Sequence, residues 1–299
     1  MVVVLAGGTG GAKLARGMLD VVGGPELVVV ANTADDVEVR GVHVSPDPDL
    51  ITYWLADMID ERGWGIAGDS WNVMDALEAA GRPAWFRLGD RDLAMCLVRT
   101  ELLRGGRRLT EAHAAVVEGL GVPARVLPMS DEPVRTWVES DGRWRPFQEF
   151  MILERAARPD AVELRGVEAA RPSPEVLDAI AGADAIVIGP SNPIISIGPV
   201  LAVPGMREAL RAAAAPVVAV SPFVHGEVVK GPTDQFLRMA GLGTGTAAIE
   251  KAYAGLADGM VADEPAPSLP TLVTDVLMDT PAARARVAEA ALAHAQSLE

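Results

Sequence analysis

Asp35, Asp36, Asp47 and Asp49 fall within a stretch of fifteen residues. The first pair closes the polar run Asn32-Thr33-Ala34-Asp35-Asp36, and the second lies in Pro46-Asp47-Pro48-Asp49. Carboxylates at that density suit a hard cation such as Mg²⁺, which takes oxygen ligands and shares them with a substrate phosphate. Upstream, Gly7, Gly8, Gly10 and Gly11 bracket Thr9, with Lys13 close behind. Glycines let a backbone approach a phosphate, and a helix start points free N–H groups at it. A third stretch, Gly189 to Pro199, fixes its course with prolines and glycines and offers Ser191, Asn192 and Ser196 as uncharged hydrogen-bonding groups. Together these residues fit phosphoryl or nucleotidyl-type transfer. Such chemistry needs a metal on the diphosphate, donors for developing charge and an aligned nucleophile, with little covalent help from protein.

Each feature also has a plainer reading. The glycines can form a tight strand-to-helix turn that binds nothing, and the Asn32–Asp36 run an Asx-rich turn. Asp47 and Asp49 can be helix-start acids beside prolines. The Gly189–Pro199 stretch can be a structural crossover. Arg91, in Arg87-Leu88-Gly89-Asp90-Arg91-Asp92, is either a ligand contact or a surface ion pair. The glycine turn is neither GxxxxGK[ST] nor GxGxxG. Two adjacent aspartates stand where a dinucleotide enzyme would hold a ribose with one acid, and they suit a metal better than a sugar.

The elements that must position these groups read as α/β. Apolar, β-branched runs at Val2–Leu5, Leu27–Ala31, Ala124–Leu127, Ala185–Ile188 and Val217–Val220 are buried strands, with others near 258–262 and 271–274. Gly41–Ser45 is a further candidate strand. Polar loops follow the strands ending at Leu5, Ala31, Ile188 and Val220, so the candidate groups share one sheet edge. Helices are expected over 47–61, 70–80, 91–104, 110–120, 174–181, 233–240, 246–255 and 280–298, with Trp85–Leu88 extended. Asp141-Gly142 between Val134–Glu139 and Arg143–Phe147 signals a hairpin, and Val162–Leu164 a further strand. The expected organisation is a Rossmann-like, mostly parallel sheet over 1–46 and 122–299, with a mostly helical insertion over 47–121 roofing the cleft.

Composition narrows the function. The net charge of -15 argues against a nucleic-acid or anionic-membrane binder. No apolar run reaches the roughly 18 residues of a membrane span, and the apolar start does not read as a signal peptide. The single cysteine, Cys96, excludes an internal disulfide and fits a cytoplasmic protein; it sits in an apolar helix pattern. The four histidines show no metal-ligand spacing: His43 stands alone, His113 and His294 are expected on helix surfaces, and His225 is a candidate ligand contact in the loop 221–232, before Lys230. No GxSxG is present.

The stretches LAGGTGGAKLARG (5–17), ANTADD (31–36), VSPDPD (44–49), LGDRDLAMCLVRT (88–100), LPMSDEPV (127–134), IGPSNPIISIGP (188–199), LAVPGMREAL (201–210) and SPFVHGEVVKGP (221–232) occur in this order. So arranged, the chain resembles the CofD/FbiA family of deazaflavin coenzyme F-420 biosynthesis over about residues 1 to 280. The resemblance implies a Rossmann-like homodimer that uses Mg²⁺. The implied enzyme moves a phospho-lactyl or phospho-enolpyruvyl group from lactyl-2-diphospho-5′-guanosine, or its enolpyruvyl analogue, to the ribityl hydroxyl of the deazaflavin Fo. The products are then coenzyme F-420-0 or its dehydro form, and GMP. By position, Gly8, Thr9, Gly10 and Lys13 border phosphate or guanosine, and Ser191, Asn192 and Ser196 line the cleft between the substrates. Asp35 is the leading Mg²⁺ ligand and Asp36 the second. Asp49 and Arg91 match positions tied to the acceptor, with Asp49 expected to take the hydroxyl proton; Asp35 and Asp49 are thus the catalytic pair. The chain departs from the family's frequent PDLDT by having Asp49-Leu50, and carries Cys96 where many members have His. Two rival readings are an NAD(P)-dependent oxidoreductase, which would call for the absent GxGxxG, and a non-catalytic nucleotide-binding regulator of the same fold.

Overall fold

The computed structural model describes residues 1–155, 158–229 and 231–298; Lys230 lies outside the described residues. In chain order, β1 (Val2–Ala6) leads into α1 (Gly8–Val22), β2 (Leu27–Ala31) and the pair β3 (Val37–Val39) and β4 (Val42–Val44). Helices α2 (Pro46–Leu55), α3 (Asn72–Ala79), α4 (Asp90–Arg104) and α5 (Leu109–Gly119) precede β5 (Arg125–Pro128). The hairpin β6 (Arg135–Ser140) and β7 (Arg143–Pro146) is followed by α6 (Phe147–Leu153), β8 (Ala161–Arg165) and α7 (Pro174–Ala181). Then come β9 (Ala185–Ile188), α8 (Ile197–Ala202), α9 (Met206–Ala212), β10 (Val217–Val220) and the short pair β11 (Phe223–Val224) and β12 (Glu227–Val228). The chain closes with α10 (Thr233–Met239), α11 (Gly245–Ala252), β13 (Gly259–Ala262), β14 (Thr271–Val273) and α12 (Pro281–Ser297). No helix among the described residues is long and apolar enough to cross a membrane.

Seven strands form one parallel sheet in the order β14-β13-β10-β9-β1-β2-β5. Side chains alternate between its faces. Val3, Leu5, Val28 and Val30 pack with α7, α8, α9 and α11, whereas Val2, Val4, Leu27 and Val29 pack with α1, α2 and α12. The result is the Rossmann-like α/β fold expected from the apolar runs. Outside it, β6 pairs with β7 and β8, turning tightly at Asp141 (φ 50°) and Gly142 (φ 69°). Ile51, Trp54 and Leu55 of α2 and Val117 of α5 join the core on the α1 face of the sheet. Between those helices, Met74, Leu88 and Cys96 form a small core of their own with Val39 and Val44.

Strand order reverses between β1 and β9, and such a switch point opens a crevice at the strands' carboxyl ends. The glycine turn and the Gly189–Pro199 loop meet there in direct contact. A Cβ on Gly10 would collide with the Pro190 carbonyl oxygen, and one on Gly11 would lie 2.7 Å from Ser191 Oγ. These two glycines therefore serve loop-to-loop packing. Gly8 alone in the turn takes a left-handed φ, of +63°.

Several local expectations are corrected. The helix predicted over 47–61 ends at Leu55, because Asp57 adopts φ 53° and turns the chain away. Trp85–Leu88 forms no strand. His113 and His294 are buried, not on helix surfaces. His294 finds a partner in its buried place: the imidazole Nε2 lies 3.1 Å from the Pro270 backbone carbonyl oxygen. Thr52 Oγ1 donates to the Pro48 carbonyl at 2.7 Å, so it must accept from His113 Nε2–H at 3.2 Å. That assignment leaves Nδ1 bare and buried with no partner among the described residues. Burial pushes the His113 pKa down to about 4.

Two outcomes follow. Gly10→Ala should destabilise the protein by about 2–4 kcal/mol in urea titrations, since a backbone carbonyl must move to admit the methyl. His113 is depressed in the folded state, so the unfolded chain binds its proton first and stability falls as pH drops from about 6.5 toward about 4. Against His113→Gln, which does not titrate, the wild type should lose about 2 kcal/mol between about pH 7 and about pH 5.

Candidate active site

The crevice widens into a cleft of about 1010 Å³, room for two small molecules. Gly7, Gly8, Thr9, Gly10 and Lys13 are part of its lining. Ser191, Asn192 and Ser196 stand beside them from the β9 loop. Asn192 Oδ1 accepts from the Ile194 and Ile195 amides at 2.9 and 3.3 Å, which folds its own loop. Its Nδ2 is buried without a partner among the described residues, a donor available to a ligand.

The carboxylates divide into different roles. Asp47 Oδ1 accepts from the Gly8 N–H at 2.8 Å, and Oδ2 from Asn32 Nδ2 at 2.9 Å. It thus satisfies a helix-start donor of α1 from a distant point in the chain. Burial raises its pKa to about 6, opposed by those two hydrogen bonds. Asp35 also lines the cleft; its Oδ1 is buried with no partner among the described residues. Desolvation first, then the charges of Asp47 and Asp36, hold its pKa well above the ordinary value. Asp36 is spent elsewhere: Oδ1 accepts from the Ser45 hydroxyl at 2.7 Å and Oδ2 lies 2.9 Å from His43 Nε2. It is not among the residues that line the cleft. Asp49 lines it, but Arg99 grips both its oxygens at 2.6 and 2.7 Å, with the guanidinium fully buried.

The chain between α2 and α4 supplies apolar lining. Trp64, Trp71, Trp85 and Phe86 line the cleft, with Trp85 and Phe86 edge-to-face at 5.6 Å. Arg62 lies 5.7 Å from the ring centre of Trp64, and Arg87 lies 5.4 Å from that of Trp71. Phe147, Met151 and Ile152 of α6 add apolar surface. Trp64 is 65% exposed and lines the cleft together with Trp71, Trp85 and Phe86.

Of the residues singled out from sequence, the cleft gathers the glycine turn, Lys13, Asp35, Asp49, Ser191, Asn192 and Ser196. Arg91 stays outside: it is exposed at the start of α4, and its guanidinium donates to the Ala67 carbonyl at 3.3 Å. His225 is exposed too, at φ 52° in the β11–β12 turn. Sequence reasoning missed Arg99, Asp92 and Tyr53. A helical signal existed, because Asp92, Cys96 and Arg99 recur at i, i+4 and i+7 on one face of α4.

The profile of the family described as 2-phospho-L-lactate transferase CofD matches residues 2–291. The chain is 42% identical over 270 residues to a phosphoenolpyruvate transferase of Streptomyces griseus, covering 88% of this chain and 85% of the relative. It is 39% identical over 265 residues to a 2-phospho-L-lactate transferase of Methanosarcina mazei, covering 88% and 86%. A crystal structure of a Bacillus halodurans protein superposes with TM-score 0.64 over 97% of this chain and 98% of its own, at 21% identity, and so bears on the fold alone. With the family's profile spanning nearly the whole chain, and relatives this similar over most of their own lengths, the chain belongs to the 2-phospho-L-lactate transferase CofD family and is a CofD-type transferase.

Proposed function

We propose that this transferase moves a phosphate bearing a three-carbon acid from a guanosine diphosphate-linked donor to the ribityl hydroxyl of the deazaflavin Fo. The relatives' names, phosphoenolpyruvate transferase and 2-phospho-L-lactate transferase, support a three-carbon acid, enolpyruvyl or lactyl. The observation that carries the reading is the cleft's lining: a glycine turn with Lys13, the Asp35 and Asp47 carboxylates beside that turn, and a set of tryptophans in the same cleft. The turn suits the diphosphate. The tryptophans suit a flat aromatic acceptor, since aromatic rings and guanidinium groups stack on planar heterocycles.

The carboxylates fit Mg²⁺. Asp35 Oδ1 is a buried oxygen with no partner among the described residues, and it lies close enough to Asp47 to feel its charge. Asp35 would be the leading ligand to the ion; Asp36, the second ligand expected from sequence, is tied to Ser45 and His43, and Asp47 is tied to Gly8 and Asn32. When bound, Mg²⁺ would neutralise charge developing on the diphosphate. Asn192 Nδ2 would donate to the transferred group, and Asp47 would keep α1 and α2 aligned beneath it.

Incubating the protein with Fo, Mg²⁺ and each guanosine donor in turn, read by mass spectrometry, should give GMP and one F-420-0-type product. Nucleotide binding without any product would favour the regulator reading and defeat this one. A second test addresses the metal. The raised Asp35 pKa means that ionisation weakens the metal-free fold, a cost present at high pH and relieved as pH falls through that pKa. Asp35→Asn should therefore raise the metal-free Tm by about 2–4 °C at alkaline pH, with the gain shrinking as the pH falls toward the ordinary carboxylate range. The variant should also lose the Mg²⁺-induced rise in Tm and about 100-fold or more in kcat. An Mg²⁺ response equal to wild type would remove Asp35 from the metal site.

A further inference from the structure

The sequence makes Asp49 the expected acceptor of the hydroxyl proton, but its hydrogen bonds disfavour that role. Arg99 binds both Asp49 oxygens, and the Ser45 N–H lies 3.4 Å from one of them. Protonating Asp49 would surrender a two-pronged, charge-assisted contact with a fully buried cation. Asp47 is bonded to the Gly8 N–H of the glycine turn, and Asp35 lies near enough to Asp47 to feel its charge.

We propose that Asp92 accepts the hydroxyl proton of the acceptor and that Tyr53 is the residue that positions it; this rests on the transfer reaction above and assigns a step within it. Asp92 lies in the first turn of α4, half-buried, and lines the cleft. The Tyr53 hydroxyl donates to its Oδ1 at 2.7 Å, and Cys96 Sγ lies 3.9 Å from the same oxygen. The side-chain bonds to Asp92 thus converge on Oδ1 and fix the carboxyl's orientation. Asp49, Asp92 and Cys96 place ligand atoms within 4.8 Å of one another, but Arg99 already supplies the positive charge of that corner.

In the step itself, the acceptor oxygen forms a bond to the phosphorus that carries the acid. The bond from that phosphorus to the bridging oxygen breaks, and its electron pair leaves with GMP. The hydroxyl proton passes to Asp92 and then to water. The charged and titratable groups facing Asp92 are Asp49 and Tyr53 from α2, Cys96 and Arg99 from α4, and Asp69, whose Oδ2 accepts the Asp92 N–H at 3.2 Å. Burial and the Asp49 charge raise the Asp92 pKa to about 7, against the Tyr53 bond and Arg99, which lower it. A base with that pKa is matched to neutral pH.

The test is steady-state kinetics of full-length wild type, Asp92→Asn, Asp92→Glu and Tyr53→Phe from about pH 5.5 to about pH 9. Wild-type kcat should rise with pH through an apparent pKa of about 7. Asp92→Asn should lose about 100-fold or more in kcat, keep donor KM within about three-fold, and lack the acid limb. Asp92→Glu should recover part of the rate. Tyr53→Phe should keep the limb but move it to higher pH, because the lost hydroxyl had stabilised the ionised carboxylate. A purely structural role would leave the limb in place. Near-wild-type kcat in Asp92→Asn, or an unmoved limb in Tyr53→Phe, overturns the assignment. A wild type that makes no product overturns the reaction, and this step with it.

Discussion

One carboxylate, Asp47, ties together the parts of the chain that make the cleft. It holds the Gly8 N–H at the start of α1 and the Asn32 amide at the end of β2, while standing itself at the start of α2. Asn32 extends the link: its Nδ2 lies 3.5 Å from the Ile195 carbonyl in the β9 loop, and its Oδ1 accepts the Ala34 N–H at 2.9 Å. Four segments far apart in sequence are thus joined through two small polar side chains at the switch point. Burying such groups is favourable only when every bond is made, so the network specifies one arrangement of the loops. The cost appears at Asp35. Asp47 raises the cost of ionising Asp35, whose Oδ1 is buried with no partner among the described residues.

Much of this was legible in the sequence. The central strands announce themselves as short β-branched runs, because strands buried on both faces admit almost nothing else. The Asp141-Gly142 hairpin was legible because its turn requires left-handed residues there. Gly10 and Gly11 were visible as glycines, but their reason was not. They look like a phosphate approach and serve a contact with Pro190 and Ser191, a fact that depends on residues some 180 positions away. Arg99 and His113 were hidden for a related reason. A polar residue on a helix is read as exposed unless its partner is known, and the partners, Asp49 and Thr52, both lie on α2.

The Asp49–Arg99 pair ties α4 to α2, the helix that packs on the sheet. Its two prongs fix α4 against α2, and the Arg99 bond to the His43 carbonyl at 3.1 Å adds β4 to the same joint. Loss of either partner of a buried pair strands a charge at a cost of about 3–5 kcal/mol, so the joint is rigid even though the surrounding surface is exposed. Rigidity here matters for function, because the aromatic wall hangs from the chain between α2 and α4. A wall held at fixed distance from the glycine turn sets how two bound molecules align, and alignment is the larger part of catalysis in transfers of this kind.

The same corner shows why Cys96 is tolerated under Asp49 and Asp92. Burial and the neighbouring carboxylates push the thiol pKa well above its ordinary value, so at neutral pH it carries no charge. The electrostatic balance then falls to Asp49 and Asp92 against the single guanidinium of Arg99. Arg99 is geometrically committed to Asp49, and Asp92 is left with a tyrosine hydroxyl, a neutral donor. Two adjacent carboxylates sharing one cation cannot ionise with equal ease, and the member without the cation is the one that keeps a proton longer. A neutral thiol at position 96 preserves that asymmetry, whereas a second cation there would erase it by stabilising the Asp92 carboxylate as well.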